Sequence, residues 1–180
     1  MSSHFYLIHI KGIAVGNEVL AGTDQELEEV LFGAIKNVHN ALKMLQLEEK
    51  IEVSMPHSVA VFANSIPPSY CTFKEDDVLV YMKPILEFFS QINSPFYINA
   101  YPFLAYKSDP EHIDMKYALF LPNYGVHDVK TGLHYDNMFD AQIDAAYAAL
   151  EAAGYHKMEV RVSEMAGLLL AMRMKLEPLS

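Results

Sequence analysis

Cysteine is almost absent from this sequence. The 180 residues contain a single cysteine, Cys71, so no disulfide can form within the chain. The histidines do not offer an alternative, because no cluster of cysteine and histidine has the spacing of a zinc site. His112, His127 and His134 are scattered through segments that we predict to be loops. The sequence therefore excludes a disulfide framework and gives no indication of a metal centre.

Positive charge and long apolar runs are also scarce. Lys and Arg number 13 against 23 Asp and Glu, which gives a net charge of −10 and a pI of about 5.1. Nucleic acids and anionic membranes require concentrated Lys and Arg, so we expect neither as a partner and favour an uncharged ligand. The apolar run at 166–172 is far shorter than the roughly 20 residues that cross a bilayer. Residues 1–11 lack the basic start, apolar run and cleavage site of a secretion signal, so we expect neither a membrane span nor a signal peptide in the chain as given.

The sequence does contain enough apolar material for a sizeable core, with 52% apolar and 12% aromatic residues. Short runs rich in apolar and β-branched residues predict four buried strands, at 13–15, 51–55, 96–99 and 158–162. Apolar residues at helical spacing predict three helices between them, at 27–45, 78–89 and 138–153. Pro84 is expected to kink or end the second helix, and Gly154 to end the third. This alternation predicts an α/β fold with parallel strands.

Two glutamates follow predicted strands near opposite ends of the chain. The first strand continues into Gly16-Asn17-Glu18, and the last ends at Ser163-Glu164. In a β/α barrel the carboxyl ends of the strands meet at one face, so residues 146 positions apart can become neighbours. Two carboxyl groups roughly 5 Å apart suffice for retaining hydrolysis of a glycosidic bond, without metal or cofactor. A glutamate after a strand is more often a solvated loop residue or a helix cap, so the pattern alone leaves both interpretations open.

The residues around Glu18 carry a more specific signal. The segment 13–19, Ile-Ala-Val-Gly-Asn-Glu-Val, resembles the acid/base motif of the plant β-1,3-glucanases, glycoside hydrolase family 17. Further segments resemble that family in the same order, at 34–42, 64–69, 94–103, 117–120 and 137–150. The resemblance covers residues 11–164 and implies a fold of the (β/α)8 TIM-barrel type.

The resemblance also implies a role for each matched position. Glu18 would be the proton donor and later the general base, and Glu164 would be the nucleophile. Substrate binding would fall to four residues: Asn17, Asn99, Tyr101 and Phe103. For Asn99 and Phe103 a structural role stays open, as a satisfied polar group at a strand end and as loop packing. The implied substrate is a β-1,3-glucan, and no cofactor is implied.

The chain differs from the family in its number of strands. An eight-stranded barrel takes about 250 residues, whereas this chain supplies four strand–helix units. The resemblance begins at the family's fourth strand and stops at its seventh. One copy is therefore not expected to close a barrel, and its open sheet edges predict possible self-association.

The second difference begins directly after Glu164. The family continues as Glu-Thr/Ser-Gly-Trp-Pro-Ser, whereas here Met-Ala-Gly-Leu follows and the chain contains no tryptophan. Codons for 165–180 can be chosen so that another reading frame encodes Gly-Trp-Pro-Ser-Ala-Gly, a typical family continuation. We therefore divide the chain into a partial glycoside hydrolase barrel at 1–164 and an aberrant tail at 165–180, and hypothesise that one lost base shifted the frame. A transcript that reads cleanly in the present frame, followed by unrelated sequence, would contradict this hypothesis.

Three functions are compatible with these features. The first is endo-hydrolysis of β-1,3-glucan with retention, impaired in this chain because half of the groove wall is missing. The second is a non-catalytic remnant that binds glucan or a partner protein through the loop around Tyr101. The third is the same chemistry on mixed-linkage β-1,3-1,4-glucan. Members of the family are generally secreted to the cell wall, some with a lipid anchor, but residues 1–11 show no signal, so we assign no localisation.

Overall fold

The fold is built around neighbouring stretches of parallel strand. The computed structural model describes residues 9–75 and 77–165, so the first eight residues, residue 76 and the tail at 166–180 lie outside it. The strands within these ranges are β1 Gly12–Ala14, β2 Glu52–Ser54, β3 Pro56–Ser58, β4 Phe62–Ala63, β5 Thr72–Phe73, β6 Phe96–Asn99, β7 Val126–His127, β8 His134–Tyr135 and β9 Val160–Glu164.

The helices lie between and after these strands. They are α1 Gln25–Met44, α2 Asp77–Gln91, α3 Pro102–Ser108, α4 Met115–Ala118 and α5 Met138–Ala152, with single 3-10 turns at Val59–Val61 and Pro68–Tyr70. None of the helices in the described ranges is both long enough and apolar enough to cross a membrane.

Parallel pairing joins the strands in chain order. β1 pairs with β2, β3 with β6, and β6 with β9. Met55 alone separates β2 from β3, so residues 52–58 form one stretch that pairs first with β1 and then with β6. The predicted α/β class and the four predicted strand regions are confirmed. Within residues 9–75 and 77–165 the strands form no closed barrel, since β1 pairs only with β2 and β9 only with β6.

Helix α1 forms the first crossover between parallel strands. Asp24 caps its N-terminus by accepting a hydrogen bond from the Leu27 N–H at 3.2 Å, which satisfies one of the free amides of the first turn. Leu31, Ile35 and Leu42 recur at helical spacing and are buried in the main core. The predicted helix is confirmed, and its apolar face covers the strands that carry the amino-terminal half of the site.

Helix α2 continues through Pro84, which was expected to kink or end it. Proline removes one hydrogen bond and crowds the carbonyl of residue 80, at a cost of about 3 kcal/mol in a helix interior. Val80 lies on the exposed side of the helix. On the opposite side, fully buried side chains offset the cost: Met82, Ile85, Leu86 and Phe89.

Helix α5 has a defined start and end. Asn137 caps the N-terminus by accepting from the Asp140 N–H at 2.9 Å. At the other end, Gly154 adopts φ +91°, and the Tyr155 N–H donates to the Leu150 carbonyl at 2.8 Å. This left-handed glycine with a backward hydrogen bond is the usual way to end a helix, as the sequence predicts. The buried face is mostly small: Ala145, Ala146, Ala149 and Leu150.

Asp128 joins two loops that extend from the strand ends. Its side chain is fully buried, and its carboxylate accepts from the Ser69 N–H at 3.0 Å and the Ser69 hydroxyl at 2.8 Å. The N–H groups of Lys130 and Thr131 donate to the same carboxylate at 3.0 and 3.3 Å. Burial alone would raise the pKa of Asp128, but these hydrogen bonds outweigh it and hold the pKa below its ordinary value. The carboxylate therefore ties the turn Pro68–Tyr70 to the β7–β8 hairpin.

Asp128→Asn is expected to lower the thermal unfolding midpoint at pH 7, because an amide cannot accept at both of its terminal atoms. The folded pKa is depressed, so the stabilisation is fully present above the ordinary value of 3.8 and is lost as pH falls through the lower folded pKa. The difference between wild type and variant should therefore narrow below that pH, as followed by circular dichroism. Asp136→Asn, at an exposed carboxylate after the same hairpin, is the control. If the difference in unfolding midpoint between wild type and Asp128→Asn did not shrink as the pH was lowered toward 2, the stabilising role of the Asp128 carboxylate would be contradicted.

Candidate active site

Glu18 lies just beyond β1, at the carboxyl end of the strand. The chain turns at Gly16, whose φ is +75°, and Glu18 itself has φ +53°, a region that residues with side chains rarely occupy. A Cβ on Gly16 would come within 2.9 Å of Val19 Cγ2, so only glycine fits without a shift. The Glu18 N–H donates to the Pro56 carbonyl at 3.0 Å. Backbone strain of this kind is typical of residues held in place for function.

Glu164 is the last residue of β9, at the same end of the strand set. Its backbone carbonyl accepts from the Ala100 N–H at 2.9 Å, which anchors it to the chain that follows β6. Its Oε2 accepts from the Tyr101 hydroxyl at 2.6 Å. Glu164 is exposed in this structure, whereas Glu18 is half-buried.

Asn99 connects the two strand ends. It is the last residue of β6 and is fully buried. Its Nδ2 donates to Glu18 Oε1 at 2.7 Å and to Asn17 Oδ1 at 2.9 Å, while its Oδ1 accepts from the Ser163 hydroxyl at 2.6 Å. Five of the six residues predicted for the site therefore lie together in one region: Asn17, Glu18, Asn99, Tyr101 and Glu164.

Ser163 is the residue of this network that sequence reasoning missed. It lies next to Glu164 in a strand, and regular alternation would put its side chain on the opposite face. The available signal was its position directly before a predicted nucleophile, but its contact with Asn99 depends on an irregular pairing between β6 and β9.

Tyr101 is the phenol of the site. Desolvation is the largest reason that its pKa is raised, followed by the hydrogen bond to Glu164 and the negative charges of Glu164 and Glu18. The hydroxyl therefore keeps its proton and remains a donor to Glu164 throughout the neutral range.

Comparisons with known proteins identify the family. The sequence model described as "Glycosyl hydrolases family 17" matches residues 1–167. The chain belongs to this family. It is 45% identical over 164 residues to glucan endo-1,3-beta-glucosidase 14 of Arabidopsis thaliana, an alignment that covers 91% of this chain and 42% of the relative. It is 43% identical over 158 residues to glucan endo-1,3-beta-D-glucosidase of Olea europaea, covering 87% of this chain and 34% of the relative.

Solved structures show the same relationship. The family 17 chain superposes on CJP38, a beta-1,3-glucanase and allergen of Cryptomeria japonica pollen, with a TM-score of 0.82 and 42% identity over 87% of this chain and 48% of the other. A second structure comes from a study of two plant beta-glucan endohydrolases with distinct substrate specificities. It superposes with a TM-score of 0.76 and 35% identity, over 86% of this chain and 48% of the other. These neighbours assign a TIM-barrel-like α/β fold. The chain spans less than half the length of these relatives.

Phe103 occupies a different position in the family 17 chain from the other predicted site residues. It lies in α3, is only 7% exposed and packs against Tyr106, with ring centroids 6.0 Å apart. These surroundings match the structural role, packing of a loop, that the sequence left open for Phe103. Its role in substrate binding stays a prediction.

Arg161 reinforces the strands beneath the site. Its guanidinium donates to Glu159 and to Glu52, each at 2.8 Å, and its hydrogen bond to Glu159 holds the pKa of that carboxyl below its usual value. Because Glu52 lies in β2 and Arg161 in β9, the side chain spans β6 and ties β9 to the stretch 52–58. Sequence analysis gave this residue no role.

Cavities and ligating groups give little further indication of a ligand. A cavity of about 510 Å³ opens at the opposite ends of β6 and β9, beside Ser94 and Tyr155, and neither Glu18 nor Glu164 lines it. Within the part of the chain that the structure describes, no three His, Cys, Asp or Glu side chains are grouped so as to hold a metal ion. The carboxylates at the strand ends remain the chemically most suitable site.

Proposed function

We propose that this chain carries the acid and the nucleophile of a retaining endo-β-1,3-glucanase. The observation that most supports this is the meeting of Glu18 and Glu164 at the same end of one parallel strand set, with Asn99 bonded to Glu18 and paired with Glu164. The relatives named above as glucan endo-1,3-beta-glucosidases support the substrate class.

The chemistry divides between the two carboxyl groups. Glu164 attacks the anomeric carbon while Glu18 donates its proton to the departing glycosidic oxygen, which leaves a glycosyl ester on Glu164. Glu18 then takes a proton from a water molecule as that water attacks the same carbon and releases Glu164. The hydrogen bond that the Tyr101 hydroxyl donates to Glu164 Oε2 orients this carboxylate for attack.

Substrate binding is proposed to involve four residues: Asn17, Asn99, Tyr101 and Phe103. The amide of Asn17 is exposed beside Glu18 and can bind a sugar hydroxyl. The half-buried ring of Tyr101 suits the apolar face of a glucose unit. Asn99 and Phe103 are buried, so their contribution would be to support the residues that face the sugar.

We further propose that the chain corresponds to the fourth to seventh strands of the family barrel and that its turnover is impaired. β1, the stretch 52–58, β6 and β9 would be those four strands. A displacement of about 1 Å in a catalytic group can cost on the order of 100-fold in rate.

Hydrolysis of laminarin by the purified chain tests this function, with Glu18→Gln as the matched control. We expect slow release of reducing ends from the wild-type chain and a lower rate from the variant, because glutamine cannot donate the proton. Equal rates for the two proteins would contradict the assignment.

A non-catalytic glucan-binding remnant is the second candidate, and the exposure of Glu164 favours it. It predicts that laminarin binds both proteins, by calorimetry, without release of reducing ends from either. Mixed-linkage β-1,3-1,4-glucan is the third candidate, since a similar solved structure comes from a study of two plant beta-glucan endohydrolases with distinct substrate specificities. Analysis of the linkages in the products distinguishes it from the first.

A further inference from the structure

Ser163 lies where β9 departs from regular pairing. Residues of β6 and β9 pair one to one as far as Ile98 and Val162, but the next residue of β6, Asn99, pairs with Glu164. Ser163 is therefore the extra residue of a β-bulge. Successive side chains of a regular strand point to opposite faces, so without the bulge Ser163 and Glu164 would point apart.

The bulge brings both side chains to the face that carries the candidate site. The Ser163 hydroxyl reaches Asn99 Oδ1 at 2.6 Å, while the Glu164 carboxylate accepts from the Tyr101 hydroxyl at 2.6 Å. A regular strand would offer only one of these contacts. Bulges next to active sites commonly redirect a side chain in this way.

The hydrogen bond from Ser163 satisfies the acceptor end of a fully buried amide. The Nδ2 group of Asn99 donates to the side-chain oxygens of Asn17 and Glu18, and these two hydrogen bonds require the present orientation of the amide. A buried acceptor without a partner is unfavourable, and rotation of the amide to find one would withdraw Nδ2 from Glu18.

We propose that Ser163 is a positioning residue whose hydroxyl fixes the orientation of the Asn99 amide and, through it, the Glu18 carboxylate. The importance of this for catalysis rests on the proposed function, in which Glu18 is the proton donor. The chain of hydrogen bonds from Ser163 through Asn99 to Glu18 does not depend on that function.

Hydrogen exchange of the Asn99 side-chain amide, followed by ¹⁵N NMR in the 180-residue chain, tests the proposal. We expect Ser163→Ala to accelerate exchange about tenfold, as for the loss of one hydrogen bond. Ser163→Thr keeps the hydroxyl and should restore slow exchange, whereas Ser163→Val has nearly the shape of threonine without the hydroxyl and should resemble alanine. Ser58→Ala is the matched control, because Ser58 pairs with Asn99 from the other side but its hydroxyl accepts from the Ala60 N–H at 3.2 Å.

Unchanged exchange in the alanine and valine variants would overturn the proposal, as would equal exchange in the threonine and valine variants. The threonine–valine pair decides the matter even where the alanine variant does not fold. Because NMR requires no turnover, failure of every variant to hydrolyse glucan would count against the proposed function alone, and the exchange rates would still decide the role of Ser163.

Discussion

Replacing His57 by leucine is expected to make the protein markedly more resistant to acid. The imidazole is fully buried in β3, stacked on Phe96 with ring centroids 4.5 Å apart. Neither ring nitrogen has a hydrogen-bond partner within residues 9–75 and 77–165. Burial therefore lowers the pKa of His57 from 6.5 to about 3, since nothing nearby stabilises the charged ring.

The direction of the effect follows from proton binding. Between pH 6.5 and about 3 the unfolded chain binds a proton at His57 that the folded chain rejects, so wild-type stability falls as pH falls through this range. At pH 4 the loss is about 3 kcal/mol relative to pH 7. The leucine variant lacks this loss, and at neutral pH it replaces two unpaired nitrogens by apolar atoms, so its free energy of unfolding there should not fall greatly.

Denaturant titrations at pH 7, 5 and 4 measure this difference. The control is His156→Leu, which removes an exposed histidine from the loop before β9. Parallel stability curves for wild type and His57→Leu between pH 7 and pH 4 would show that His57 can be protonated in the folded protein. A gain in the control equal to that in His57→Leu would show that loss of a histidine, rather than its burial, is responsible.

The second large effect is expected in catalysis and depends on the leaving group. On laminarin the departing oxygen needs a proton, so Glu18→Gln should lower kcat/KM by roughly 100- to 10,000-fold. On a dinitrophenyl β-glucoside of a short β-1,3-glucan, whose leaving group departs as a stable anion, the same variant should form the glycosyl ester nearly as fast as wild type. Glu164→Gln should lose activity on both substrates, because no leaving group replaces the nucleophile.

Release of dinitrophenolate in the first seconds, compared with release of reducing sugar from laminarin, separates the two roles. Glu29→Gln, which makes the same substitution on the exposed surface of α1, controls for the loss of a charge. If Glu18→Gln were as damaging on the activated substrate as on laminarin, the assignment of Glu18 as proton donor would be wrong. If Glu164→Gln retained activity on the activated substrate, Glu164 would not be the nucleophile.

The sequence was informative where local chemistry decides the structure. Apolar periodicity identified α1, α2 and α5, and Gly154 marked a helix end because helix capping depends on a few adjacent residues. Glu18 and Glu164 were expected at one face because parallel strands bring their carboxyl ends together. Their roles came from the resemblance to the family and stay predictions.

The features that sequence reasoning missed depend on contacts between distant segments. Helices α3 and α4 and the hairpins lie in what the sequence suggested were long loops, and Asp128 holds one of them through Ser69, 59 residues away. Pro84 stays inside a helix because tertiary burial of its neighbours outweighs its local cost. Ser163 joins the site because of a bulge, and a bulge exists only with respect to a partner strand.

The stretch 52–58 has a mechanical consequence for the site. In the sheet, Glu18 belongs to the strand on one side of it and Glu164 to the strands on the other, and the exchange of neighbours takes place at Met55. The backbone pairing between the strand that precedes Glu18 and the strand that ends at Glu164 therefore runs through this segment, and the Asn99 side chain adds a second link to Glu18. A local opening of residues 52–58 would separate the two carboxylates before either outer strand had itself unfolded.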